Sequence, residues 1–335
     1  MVRSSAIPAG QGPFFDELAV GQDFGGAPAV TLTEGMAAAH RAIVGERLPL
    51  VLDHELCREV TGGLPLASPA LVWDVAIGQS TVVTQHVRAN LFYRGLTFRR
   101  APVLGDTLRT RTHVVGLRQN RPRPGRAPTG LAVLRITTTD QDDRPVLDFW
   151  RCAMLPLRDP DADTGHADDV DQIGPGAAPP DFPSVVVGWR LDRLARRSAG
   201  LRLAELSPGQ RLSVAGGDVV SSAPELARLT LNVAAVHHDA VAGGGQRLVY
   251  GGHAIGLALS QAARALPGLA TVAGWHGCDH LGPVREGDTL RSEIAVERVD
   301  QLPTGGGLVH LRSLVRADGE PDRDVLDWRY VAVLA

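Results

Sequence analysis

The chain has 335 residues, 44% apolar and 21% charged, a globular composition at a length suited to about two domains. Its formal net charge is −3 and its arginines are dispersed, which argues against a nucleic-acid partner. All 34 basic residues are arginine, which excludes lysine Schiff bases, pyridoxal-phosphate anchoring and the lysine of a phosphate-binding P-loop.

Residues 1–12 lack the basic-then-apolar layout of a signal peptide. A helical stretch follows over Thr33 to Val44, then a polar turn. A second helix is predicted from Pro69 to Thr84, apolar on nearly every face and therefore buried. Strands are expected over Leu108 to Leu117, Gly130 to Thr139 and Val146 to Pro156, where Val, Thr, Arg and Ile alternate as in half-buried antiparallel sheet. Asp159 to Pro183 is rich in Asp, Pro, Gly and Ala and reads as a linker with too little apolar surface to pack. The same elements then return: helices over Ala223 to Thr230 and Gly252 to Leu266, strands over Leu290 to Val299, Gly307 to Arg316 and Val325 to Leu334. No run of about 18 apolar residues is long enough to cross a membrane. Cys57, Cys152 and Cys278 are too scattered for a disulfide framework or a CxxC metal pair, so a reducing cytoplasm is expected.

Three blocks show that the chain is one unit written twice. Glu17-Leu18-Ala19-Val20-Gly21-Gln22 returns as Glu205-Leu206-Ser207-Pro208-Gly209-Gln210, Gly105-Asp106-Thr107-Leu108 as Gly287-Asp288-Thr289-Leu290, and Val146-Leu147-Asp148 as Val325-Leu326-Asp327. The offsets drift only from 188 through 182 to 179 residues. The division is a first domain over 14–157, a linker over 158–188 and a second domain over 189–335. A lone half would expose an unpaired sheet edge. The two sheets should therefore join edge to edge, with both long helices on one face.

This order, with Gly-Asp-Thr-Leu before the last three strands, resembles the MaoC-like hydratases of the hot-dog fold. The resemblance implies an α+β tandem, or double, hot-dog, each unit a long central helix wrapped by antiparallel sheet. Phe14-Phe15-Asp16-Glu17-Leu18, Thr33-Glu34-Gly35 and the two-copy length further resemble the mesaconyl-CoA hydratase (2-methylfumaryl-CoA hydratase) branch. The family signature, D-x-N-P-x-H-x-D, falls on Asn232 to Asp239 in the second copy. His237 and Asp239 match there, while Asn232 stands in place of the leading acid. In the first copy it falls on Glu46 to Asp53, where Val51 replaces the histidine.

The family also places a glycine at the start of the central helix, where its N–H stabilises an enolate-like oxyanion. Tyr250-Gly251-Gly252-His253 keeps it as Gly252; Ala67-Ser68-Pro69-Ala70 puts Pro69 there, which has no N–H. The resemblance thus implies one working site, in the second half, with His237, Asn232 and Gly252 catalytic. Arg247, Gly251 and Tyr250 are the expected substrate contacts. Arg247 would hold CoA phosphates or a substrate carboxylate. The implied substrate is an acyl-CoA thioester; neither cofactor nor metal is needed, and a homo-oligomer stays open.

Blander readings stand beside these. His237 and His238 could be a turn pair bonded to backbone. His276 and His280 have ligand-like spacing, yet no second pair accompanies them and a strand explains them better. Gly243-Gly244-Gly245 reads as a loop, Glu46 as a solvated turn residue, and Tyr250 and Trp275 as core. Two other functions remain open: a thioesterase driven by an acid on the central helix, for which Asp74 is the candidate, and a non-catalytic acyl-CoA-binding subunit, which Asn232 keeps in view.

Overall fold

The structure is a computed structural model that describes residues 12–176 and 181–335. The expectation about an N-terminal leader, and residues 177–180 of the linker, lie outside the described residues.

The first half opens with short strands β1 (Asp23–Phe24) and β2 (Val30–Thr31), then α1 (Glu34–Val44), α2 (Pro49–Leu52) and α3 (His54–Thr61). The Thr33 side chain caps α1 by accepting from the Met36 N–H, and Gly45 ends it in a left-handed conformation, the usual pair of helix-end solutions. The central helix α4 (Pro69–Ser80) has every residue buried. Ser68 accepts from the Ala70 N–H at its start, and Pro69 sits where no intrahelical donor is needed. Four strands follow: β3 (Ala89–Phe98), β4 (Thr107–Gln119), β5 (Thr129–Thr139) and β6 (Pro145–Pro156). After α5 (Leu191–Arg197), the second half repeats this order with β7 (Arg211–Ser213), β8 (Asp218–Val219), α6 (Ala223–Leu229), α7 (Gly251–Ala265), β9 (Leu269–His280), β10 (Thr289–Gln301), β11 (Gly307–Ala317) and β12 (Arg323–Leu334).

The strands form one antiparallel sheet in the order β1-β4-β5-β6-β3-β9-β12-β11-β10-β7. The halves meet at β3 and β9, in the register Phe92↔Asp279, Tyr93↔Cys278 and Arg94↔Gly277. The expected edge-to-edge joint is therefore present, and it rests on β3, which the strand pattern did not reveal. α4 and α7 pack against each other and against the same sheet. Between them and the sheet, Trp73, Trp275 and Trp328 cluster with ring centroids 4.8–6.0 Å apart, favourable edge-to-face geometry. Trp275 is thus core, as expected.

The linker corrects one expectation. Instead of spanning the surface unpacked, it lies along the outer face of the first sheet. Val170 is fully buried against Phe92, Leu131, Val133 and Cys152, with Ile173 beside it. Arg94 Nη1 donates to the carbonyls of Asp171 (2.8 Å) and Ile173 (3.1 Å). Two apolar side chains and a few backbone bonds suffice because the sheet supplies the rest of the surface.

Candidate active site

At the joint of the halves lies a cavity of about 500 Å³. Its walls come from the start of α7 (Tyr250, Gly251), the loop after α6 (Asn232, His237), β9 (His280) and, from the first half, β3 (Asn90, Tyr93) and β6 (Arg151). The corresponding place in the first half, around Leu66, Ala67 and Pro69, holds a void of only about 10 Å³. That void would barely admit one water molecule.

The loop carrying Asn232 and His237 is held by the opposite half. Leu231 turns the chain in a left-handed conformation, φ 59°, at a cost that neighbours must offset. Val233 N–H donates to Thr81 Oγ1 and Ala235 N–H to the Gln85 carbonyl, both at 2.9 Å. Thr81 and Gln85 directly follow α4. Gly78, on α4, lets Thr230 approach so closely that an added Cβ would sit 1.7 Å from its carbonyl oxygen.

His237 Nδ1–H donates to the Leu248 carbonyl at 2.8 Å. A carbonyl only accepts, so in the neutral ring Nε2 is the unprotonated nitrogen. Burial pushes the imidazole down to about 4, against the raising effect of the bond to Leu248, with the Arg151 guanidinium also acting downward. The ring is therefore neutral near pH 7, with Nε2 free to accept a hydrogen bond or a proton. His238 fits the blander reading: exposed, it bonds through Nε2 to the Asn232 carbonyl at 2.6 Å. Asn232 is buried, and its Oδ1 accepts from the Ala234 N–H at 3.0 Å. Nothing among the described residues accepts from its amide nitrogen. Asp239 is an exposed turn residue accepting from the Val241 N–H.

The α7 N-terminus has no side-chain cap, so its first amides are free donors. Gly251 lines the cavity, with His280 so close that a Cβ would lie 2.5 Å from its Cε1. Gly252 sits behind it, against the Asp74 carboxylate and the Tyr250 ring. Tyr250 has two roles: its ring walls the cavity, and its hydroxyl donates to Asp74 Oδ1 at 3.1 Å. Asp74 is fully buried and also bonds His40 Nε2 at 2.9 Å. Burial pushes its carboxyl up, against the lowering effect of His40 and Tyr250. It lies behind the cavity wall, not in it, a poor position for the acid of a thioesterase.

Two expectations change. Arg247 is absent from the cavity wall and pairs with Glu286 at 3.0 Å near the surface; Arg88, Arg151 and Arg285 line the cavity instead. Glu46 is not solvated but 6% exposed. It accepts from the N–H groups of Arg47 and Leu48 at 2.9 Å and from the Ser68 hydroxyl, tying the turn to the start of α4. In the first half Val51 is core and Asp53 caps α3. A register shift at His276 sends it to the other face from His280, where it stacks on His310. Gly243 and Gly244 line the cavity mouth. Sequence reasoning missed Asn90, Arg151 and the inward face of His280, since nothing local marks which strand positions meet a cavity.

No family model matches the chain. It is 28% identical to the β-methylmalyl-CoA dehydratase of Chloroflexus aurantiacus, covering 92% of this chain and 89% of that protein. It is 26% identical to the mesaconyl-CoA hydratase of Cereibacter sphaeroides, over 92% and 90%. Among solved structures, a conserved hypothetical protein of Mycobacterium tuberculosis described as a double hot-dog is 55% identical, with a TM-score of 0.91 over 97% of this chain and 99% of that one. A MaoC domain protein from Chloroflexus aurantiacus is 25% identical, with a TM-score of 0.81 over 98% and 99%. No helix among the described residues is long and apolar enough to cross a membrane.

Proposed function

We propose, for a chain that belongs to the MaoC-like double hot-dog family of hydratases and dehydratases, that its second half adds water reversibly to a short or branched α,β-unsaturated acyl-CoA. The most concrete substrate is mesaconyl-CoA, hydrated to β-methylmalyl-CoA. The observation that carries this reading is His237, whose Nδ1–H is committed to the Leu248 carbonyl and whose Nε2 is left as a proton acceptor.

In this reading a water oxygen bonds to the β carbon while its proton passes to His237 Nε2. The electron pair of the double bond moves onto the thioester oxygen. The free amide of Gly251, on the cavity wall at the α7 N-terminus, meets that charge as the enolate forms, with the Gly252 amide behind it adding to the positive end of the helix. The enolate then takes the proton back from the imidazolium at its α carbon, so atoms and charge balance with a single carrier. Asn232 holds the water or the thioester and transfers no proton. Arg88 and Arg285 suit the phosphates of CoA: both line the cavity, and neither has a carboxylate partner among the described residues.

The test is a panel of enoyl-CoAs monitored for loss of the conjugated thioester absorbance, with free thiol measured in the same cuvette. Loss of absorbance without thiol release supports the hydratase. Thiol release identifies a thioesterase, and neither signal indicates a binding subunit.

A further inference from the structure

Arg151 is the one arginine in the buried class among the described residues, at 3% exposed. It lines the cavity, and no carboxylate lies within ion-pair distance of it among the described residues. Nη1 donates to Ser80 Oγ at 2.9 Å and Nη2 to Thr84 Oγ1 at 2.5 Å. Nε is buried with no partner. Ser80 ends α4 and Thr84 lies four residues beyond it, so the guanidinium faces the C-terminal end of the helix, whose partial negative charge favours a cation. Two neutral hydroxyls and a helix end still leave a desolvated guanidinium without its counter-charge, a costly arrangement.

The same cavity wall holds a second polar group without a partner among the described residues. Both the Nδ2 and the Oδ1 of Asn90 are buried and unbonded among the described residues, and Asn90 also lines the cavity. The strand register puts both on the inner face, two residue pairs apart. Asn90 on β3 is opposite Ala153 on β6, and Arg151 is two residues before it, so the two side chains share a face of the sheet. A fixed fork of guanidinium donors beside an amide donor suits a planar anion.

We infer that Arg151 and Asn90 form a subsite for a carboxylate on the acyl group, making the site selective for dicarboxylic acyl thioesters. The inference rests on the hydratase reading for its choice of an acyl thioester and extends that reading by naming the residues that select its substrate. CoA phosphates are the less fitting anion, because they meet the protein at the mouth, where Arg88 and Arg285 stand, and not beside a buried guanidinium. The first half then supplies the acyl anchor while the second supplies the base. A half that has lost its own base is thereby still required.

The experiment compares succinyl-CoA with butyryl-CoA, saturated four-carbon thioesters that differ in the terminal carboxylate, by titration calorimetry. Wild type should bind succinyl-CoA at least about tenfold more tightly, the worth of a charge-assisted pair. Arg151→Met should erase that preference, and Arg151→Lys, which keeps the charge but not the fork, should retain part of it. Asn90→Ala should lower it several-fold. If Arg151→Met fails to fold, the lysine and Asn90 variants carry the test. Equal binding of the two thioesters by wild type, or variants that weaken both alike, would overturn the subsite. Because neither ligand can be hydrated, this readout is independent of catalysis. A failure of the hydratase reading would appear separately, as no loss of absorbance with 2-methylfumaryl-CoA or with 2-methylcrotonyl-CoA.

Discussion

Replacing Gly78 with alanine perturbs the site from the opposite half of the molecule. The added Cβ would lie 1.7 Å from the Thr230 carbonyl oxygen, 2.7 Å from its carbon and 3.2 Å from the Asn232 nitrogen. Ordinary contact begins at 3.4 Å, so either α4 or the loop must retreat by about 1.7 Å. α4 is buried on every side, which leaves the loop as the part that yields. Retreat would stretch the bonds from Val233 to Thr81 and from Ala235 to Gln85, each worth about 1 kcal/mol. Overpacking adds about 1–3 kcal/mol, and alanine returns at most about 1 through helix propensity. The expected net loss is about 2–4 kcal/mol. A displacement above 1 Å at a proton carrier costs on the order of a hundredfold in turnover. Gly78→Ala should therefore lower both the denaturation midpoint and the kcat for enoyl-CoA hydration. Gly35→Ala is the control: it lies in α1, where a Cβ meets nothing nearer than 4.0 Å, and should be neutral or slightly stabilising. If the two variants match in stability and kcat, the close approach of Gly78 to the loop does not position the site.

Four further outcomes are expected. His237→Ala should lower kcat by about a hundredfold or more; turnover within threefold of wild type would refute its role. Because burial lowers His237 to about 4, wild-type kcat/KM should be level from about pH 6 to 8 and fall only as pH approaches that value, whereas a limb near 6.5 would show a solvated ring. Asn232→Asp places a carboxylate in the same cavity wall and should move that acid limb upward, since a nearby anion favours imidazolium; an unchanged limb would place residue 232 out of reach of the base. Fully buried His253 has neither ring nitrogen bonded among the described residues and is lowered from 6.5 to about 4 by burial. The unfolded chain then binds the extra proton between those values. The stability contribution is complete above 6.5 and is lost as pH falls, by about 3 kcal/mol at pH 4. Denaturant melts at pH 7 and 4.5 should show His253→Leu losing less stability on acidification than wild type.

The sequence alone determined the duplication, because each copy must repeat the same blocks to fold into the same unit. It also set the central helices and six of the twelve strands, β4 to β6 and β10 to β12, since burial on all faces and alternation along a strand are local patterns. That Val51 carries no titratable group and Pro69 no N–H is plain in the sequence, because each residue's chemistry is its own. Only the tertiary structure decided which partners those residues met. Arg151 and Asn90 look like ordinary strand residues until the β3–β6 register turns both to one face, in the wall of one cavity. Glu46 looks solvated until Ser68, 22 residues away, closes on it. Asp74 reads as an available acid until Tyr250 and His40 enclose it behind that wall. Each of these depends on contacts between segments far apart in the chain, and a cavity belongs to no single segment, so no local periodicity encodes it.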